Sequence, residues 1–250
     1  MTAAARQIPM GGGGGWRLLV SDFFMSFMWV WSSALIKIFV YRIFVFGHHD
    51  LDGEILKHAL AVAVMFFFAF LVKVTNGGAY NPLTVLASAI SGDFSNFIFT
   101  LGARIPSQVL GSIIGVRLIL YKYPDIGSGP KLNVGIHGGA LTEGLLTFMI
   151  VSISLGLSRK IPGSFFMKTW ISSLSKVTLH LLGSDLTGGC MNPASVFGWA
   201  YARGDHITKE HIQVYWLAPI QATLLAVWSF RLLFPLQKDD HEKKKSKKLD

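Results

Sequence analysis

The pattern Gly-Gly-x-x-Asn-Pro-x-x-Val occurs twice in this chain, as Gly77-Gly78-Ala79-Tyr80-Asn81-Pro82-Leu83-Thr84-Val85 and as Gly188-Gly189-Cys190-Met191-Asn192-Pro193-Ala194-Ser195-Val196. A glycine pair lets the backbone turn sharply and pack closely. Asparagine is a favoured N-cap, because its side-chain oxygen accepts an orphan N–H of the first helical turn. Proline at the first helical position loses nothing, since its missing N–H would have had no partner there. Each copy therefore opens a helix. A single copy in a soluble protein would say no more than that.

The surroundings of the two copies change their meaning. Of 250 residues, 51% are hydrophobic and 15% charged, whereas soluble domains carry roughly a quarter charged residues. The apolar residues gather into runs of approximately Leu18–Val40, His58–Val74, Phe97–Leu120, Gly138–Leu157, Phe165–Leu182 and Ile212–Phe234, each near the ~20 residues that cross a bilayer. Two further runs, Asn81–Ile90 and Asn192–Tyr201, are too short to cross and read as re-entrant half-helices. Each motif follows the second span of a three-span half, the halves covering about 18–121 and 136–235. Three is an odd number, so the halves insert upside down relative to each other. Irregular backbone at membrane depth is tolerated only where it is buried in protein or lines a watery cavity. The two helix starts are thus predicted to meet near the midplane. There their positive ends, ~0.5 charge each, oppose cations, and each asparagine NH2 stays free to donate to a passing neutral solute.

Charge sets the orientation. Segments on the side of the two termini hold twelve Lys and Arg and the opposite side six, with five more inside or at the edges of spans, so both termini are predicted cytosolic. The arm 1–17 and the basic tail 236–250 lie outside the channel domain 18–235. The net charge of +9 is concentrated in that tail, with Lys243, Lys244, Lys245, Lys247 and Lys248. No basic stripe is interleaved with stacking aromatics, which excludes nucleic acid as a partner, and the tail suits anionic lipid instead. The single cysteine excludes an internal disulfide. His48-His49-Asp50 lacks a fourth ligand and reads as a solvated loop rather than a metal site.

The paired motif, the order of three spans, NP-loop, three spans, NP-loop, and the segments Ala140-Leu141-Thr142-Glu143-Gly144 and Tyr215-Trp216-Leu217-Ala218-Pro219 resemble the aquaporin, or major intrinsic protein, superfamily over nearly the whole chain. Within it the chain is similar to the plant small basic intrinsic proteins with Leu in the first motif. The resemblance implies an all-α membrane fold, an inverted repeat of six transmembrane helices plus two re-entrant half-helices. It implies a homotetramer passing water or small uncharged solutes, with no cofactor, no metal and no catalysis. Asn81, Pro82, Leu83, Asn192, Pro193 and Ala194 are then the pore motifs, and Asp22 and Glu143 support the NP-loops. The C-terminal Lys247-Lys248 matches a dilysine retrieval pattern and points to the endoplasmic reticulum.

Two departures from the family pattern bear on selectivity. Leu83 stands where most members have alanine, and either narrows the midplane or is absorbed by its neighbours. The family's second constriction maps onto Ala61, His180, Gly189 and Ser195, where the common large aromatic has become alanine and the common arginine serine. Arginine contributes a permanent charge and a rigid donor fork, so the expectation is a wider, less cationic filter. The alternatives are a secondary transporter, which would need cavity-facing carboxylates, and a poorly conducting scaffold.

Overall fold

The computed structural model describes residues 14–47, 50–90, 94–127, 129–159 and 161–235. The dilysine Lys247-Lys248 lies outside the described residues. The chain is helical, with no strand among the described residues. Six long helices, α1 (Gly15–Ile43), α2 (Leu51–Val74), α4 (Phe94–Lys122), α5 (Ile136–Arg159), α6 (Phe165–Gly183) and α8 (Lys209–Leu233), are interleaved with two short ones, α3 (Pro82–Ala89) and α7 (Pro193–Arg203).

Helices start earlier than hydropathy suggests. The second span begins at Leu51 rather than His58, because Asp52 and Glu54 occupy its first turn, where acids favour the helix dipole. Lys57 then pairs with Glu54 at 2.5 Å. The third, fourth and sixth spans likewise begin at Phe94, Ile136 and Lys209 instead of Phe97, Gly138 and Ile212. Five of the six long helices are apolar enough to cross a membrane on composition alone. The exception is α6, which carries Lys168, Lys176 and His180 within its length.

Small residues govern the packing, as expected where lipid supplies no hydrophobic drive between helices. In α4 the sequence Gly111-Ser112-Ile113-Ile114-Gly115 lies directly on α1: a Cβ at Gly111 would collide with the Phe23 carbonyl oxygen, and one at Gly115 would press on Val30 and Phe27. The two half-helices are exchanged between the halves. Trp199 of α7 packs with Val30, Ala34, Val116 and Ile119 of α1 and α4. Ala87 of α3 packs with Val151, Leu155, Ala226, Val227 and Phe230 of α5 and α8. Outside this interior the spans expose large apolar side chains, Leu141, Leu182, Trp228 and Leu232 among them at 57–82%, a surface that requires lipid.

The third span of each half contains a widened turn, Thr100–Arg104 in α4 and Gln213–Leu217 in α8. Each is followed closely by a proline, Pro106 or Pro219. Proline lacks an N–H and its ring crowds the preceding turn, so the ladder opens just there. Both wide turns face the NP-loops.

Candidate functional site

The two NP-loops are built by the same local chemistry. Asn81 caps α3 by accepting the Leu83 N–H at 3.0 Å, and Asn192 caps α7 by accepting the Ser195 N–H at 3.3 Å. Pro82 and Pro193 fill the first helical position and are buried. The loops then brace each other. Asn81 Nδ2 donates to the Met191 carbonyl at 2.7 Å, and Asn192 Nδ2 donates to the Tyr80 carbonyl at 3.1 Å. Tyr80 and Met191 are the residues immediately before the two asparagines, so the exchange is reciprocal about a pseudo-twofold axis. An expectation changes here. Each NH2 is not wholly free, since one hydrogen is committed to the opposite loop and one is left. Met191 reaches this position with φ of 47°, a left-handed backbone that a side-chain-bearing residue adopts only when its neighbours hold it there.

Acids on the first span of each half hold these loops. Glu143 of α5, 1% exposed, accepts from the Cys190 N–H at 2.9 Å, the Met191 N–H at 3.0 Å and the Thr187 hydroxyl at 2.7 Å. Asp22 of α1, fully buried, accepts from the Ala79 N–H at 2.7 Å. It is also gripped by Arg104, with Nε to Oδ2 at 2.7 Å and Nη2 to Oδ1 at 2.9 Å. Arg104 Nη2 also donates to the Gly77 carbonyl at 2.7 Å. In the second half the Tyr215 hydroxyl plays the corresponding part, donating to the Thr187 carbonyl at 2.9 Å. Arg104 and Tyr215 both stand in the widened turns before proline. The shorter acid is thus bound directly by a cation, whereas Tyr215 reaches Glu143 only through Thr187. Sequence reasoning missed Arg104 as a site residue. The available signal was a cation inside an apolar span, which demands a buried acid partner.

Leu83 is 2% exposed and Ala194 fully buried. The extra methyls of Leu83 are therefore packed inside protein. Of the four positions expected to form the filter, His180 and Gly189 are in contact, with Nδ1 at 3.2 Å from the Gly189 carbonyl oxygen. Gly189 has φ of +51°, and a Cβ there would run into the His180 carbonyl oxygen. Gly189→Ala is accordingly expected to push the second loop off α6 and lower the midpoint of thermal unfolding in detergent, with a cost in the ~1–3 kcal/mol range of overpacking. Ser195 is half-buried at the start of α7. Ala61 is half-buried and shares the α2 face of Phe68 two turns on, but no described contact joins it to His180. The α2 ring beside His180 is His58, centroids 6.5 Å apart, a neighbour that an ungapped count back from Asn81 does not reveal.

An aromatic cluster surrounds Tyr80. Tyr80 stacks on Trp29, centroids 4.2 Å apart and planes 17° apart, and Phe68 meets both edge-on at 5.0 and 5.1 Å. The Lys176 ammonium sits 4.7 Å from the Trp29 ring centroid and 5.1 Å from that of Tyr80.

Comparison with known proteins agrees with this architecture. Residues 13–230 match the family described as MIP, Major intrinsic protein. Similar proteins include "Probable aquaporin SIP2-1" of Arabidopsis thaliana, 59% identical over 230 residues, 92% of this chain and 97% of that protein. "Aquaporin SIP1-1" of Zea mays is 33% identical over 229 residues, 87% of this chain and 92% of that one. Among solved structures, the aquaglyceroporin from Plasmodium falciparum superposes with a TM-score of 0.66 at 16% identity, covering 89% of this chain and 98% of that one, a likeness of fold. The chain belongs to the major intrinsic protein family, the aquaporin superfamily of membrane channels for water and small solutes, and within it stands with the small basic intrinsic proteins.

Proposed function

We propose that this protein is a passive channel whose filter, formed by Ala61, His180, Gly189 and Ser195, is wider and less cationic than is usual in its family and admits small neutral solutes besides water. The observation that carries the channel reading is the reciprocal exchange between the two capped asparagines, with Asn81 on Met191 and Asn192 on Tyr80. It holds two helix starts face to face and leaves each carboxamide one N–H for a solute. The filter reading is supported by the serine at position 195 and by the small residues Ala61 and Gly189, with His180 as the one large side chain. Asp22 and Glu143 serve as loop supports, with no acid left over for ion coupling among the described site residues. We further propose a homotetramer in the endoplasmic reticulum membrane, both termini cytosolic, retained through Lys247 and Lys248.

Purified protein in liposomes, assayed by stopped-flow light scattering, is expected to pass both water and glycerol. Ser195→Arg is expected to lower glycerol flux by roughly tenfold relative to water, about 1.4 kcal/mol of barrier. Wild-type liposomes that pass water and reject glycerol would overturn the filter reading. Flux that saturates or follows an ion gradient would favour a transporter, and no flux of any neutral solute a scaffold. Residues appended after Asp250 are expected to release the protein to the cell surface, and unchanged retention would rule out the dilysine signal.

A further inference from the structure

Lys176 lies mid-way along α6, roughly 16 Å from its first residue at 1.5 Å per residue, a depth at which an ammonium is expensive and functional by default. It forms no ion pair or hydrogen bond among the described residues. Its described partners are the faces of Trp29 and Tyr80, at 4.7 and 5.1 Å. A lysine near a helix end can extend its head to the membrane surface. This one is instead held inward, against the ring of the residue that precedes Asn81. The lysine is also four residues before His180, and residues so spaced share a helix face. Thr169 and Ser173, buried at 8% and 2%, continue the same face. The α6 stripe Thr169, Ser173, Lys176 and His180 is therefore polar, which accounts for the helix whose composition falls short of a membrane span. Rings cover one side of the ammonium, and its three N–H donors still need acceptors that the described protein atoms do not supply. Water and solute in a lumen can supply them.

We propose that Lys176 is the lumen cation of this channel, a selectivity-determining residue that excludes cations from a path open to neutral solutes. The charge that serine does not provide at position 195 is placed on α6, one helical turn before His180, and held over the rings of Trp29 and Tyr80. This inference rests on the channel reading above. It predicts an electrostatic barrier located at Lys176, where an ammonium repels hydronium and metal cations.

The test uses full-length wild type, Lys176→Met, Lys176→Arg and Lys176→Cys in liposomes. Glycerol and water flux are read by stopped flow, and potassium and proton leak by an entrapped pH dye. Lys176→Met keeps an unbranched apolar stem and is expected to raise cation leak roughly tenfold or more, about 1.4 kcal/mol of barrier, with neutral flux retained. Lys176→Arg is expected to stay tight. Lys176→Cys is expected to leak, and reaction with aminoethyl methanethiosulfonate, which forms a disulfide and releases methanesulfinate, restores an ammonium and closes the leak. The ethylsulfonate reagent also releases methanesulfinate, but its disulfide ends in a sulfonate and does not close the leak. Wild type, with its native Cys190 alone, controls for labelling elsewhere. Retained neutral flux without cation leak in Lys176→Met overturns the role of Lys176 and leaves the channel standing. Wild type without neutral flux overturns the channel reading. A Lys176→Cys protein that aqueous reagents do not label overturns the lumen position itself.

Discussion

Arg104→Met is expected to be the most damaging single change outside the motifs themselves, lowering stability by about 3–5 kcal/mol and abolishing flux. The methionine leaves Asp22 as an uncompensated buried charge, since its carboxylate is 0% exposed and Arg104 contributes two of its three hydrogen bonds. It also strips the Gly77 carbonyl of its partner, loosening the turn that delivers Tyr80 and Asn81. Desolvating two ions is costly, so the intact pair is not itself a large source of stability, whereas breaking it is strongly unfavourable. The double substitution Asp22→Asn with Arg104→Met is therefore expected to be more stable than Arg104→Met alone, although the Ala79 N–H keeps only a neutral acceptor. Denaturation in detergent, followed by tryptophan fluorescence, separates the two variants. Equal stability of wild type and Arg104→Met would remove the pair from the account of the loop.

Glu143→Gln is expected to act at longer range. The carboxylate serves three donors, and an amide turned to keep Thr187 and Cys190 must aim its NH2 at the Met191 N–H. A buried donor left facing a donor costs about 1–3 kcal/mol. The damage falls on Met191, whose carbonyl is the acceptor for Asn81 of the other half. Water flux should fall while the protein still reaches the membrane, and the thermal midpoint should drop. Unchanged assembly and transport in Glu143→Gln would refute the supporting role of this residue.

The architecture was legible because its signals are local or periodic. Asparagine capping and N1 proline act within one turn, so GGxxNP could be read as a helix start at both sites. Repetition of that start after the second span of each half carried the inverted repeat. What escaped was pairing across distance. Arg104 and Asp22 lie far apart in the chain, and Lys176 was only one of five cations counted inside spans. The committed N–H of each asparagine could not be read either, because its acceptor belongs to the other loop. The early start of α2 was hidden for a different reason. Asp52, Glu54 and Lys57 depress hydropathy, yet a helix continues readily through polar residues that pair with one another.

The exchange of half-helices has a consequence for biogenesis. While only the first half has left the ribosome, α3 has no surface to bury Ala87 against and Asn81 has no carbonyl to donate to. The second half is in the same position without α1 and α4. Closure of the clasp therefore requires both halves. A product truncated between the halves would present an unclasped polar turn and a bare apolar helix within the bilayer.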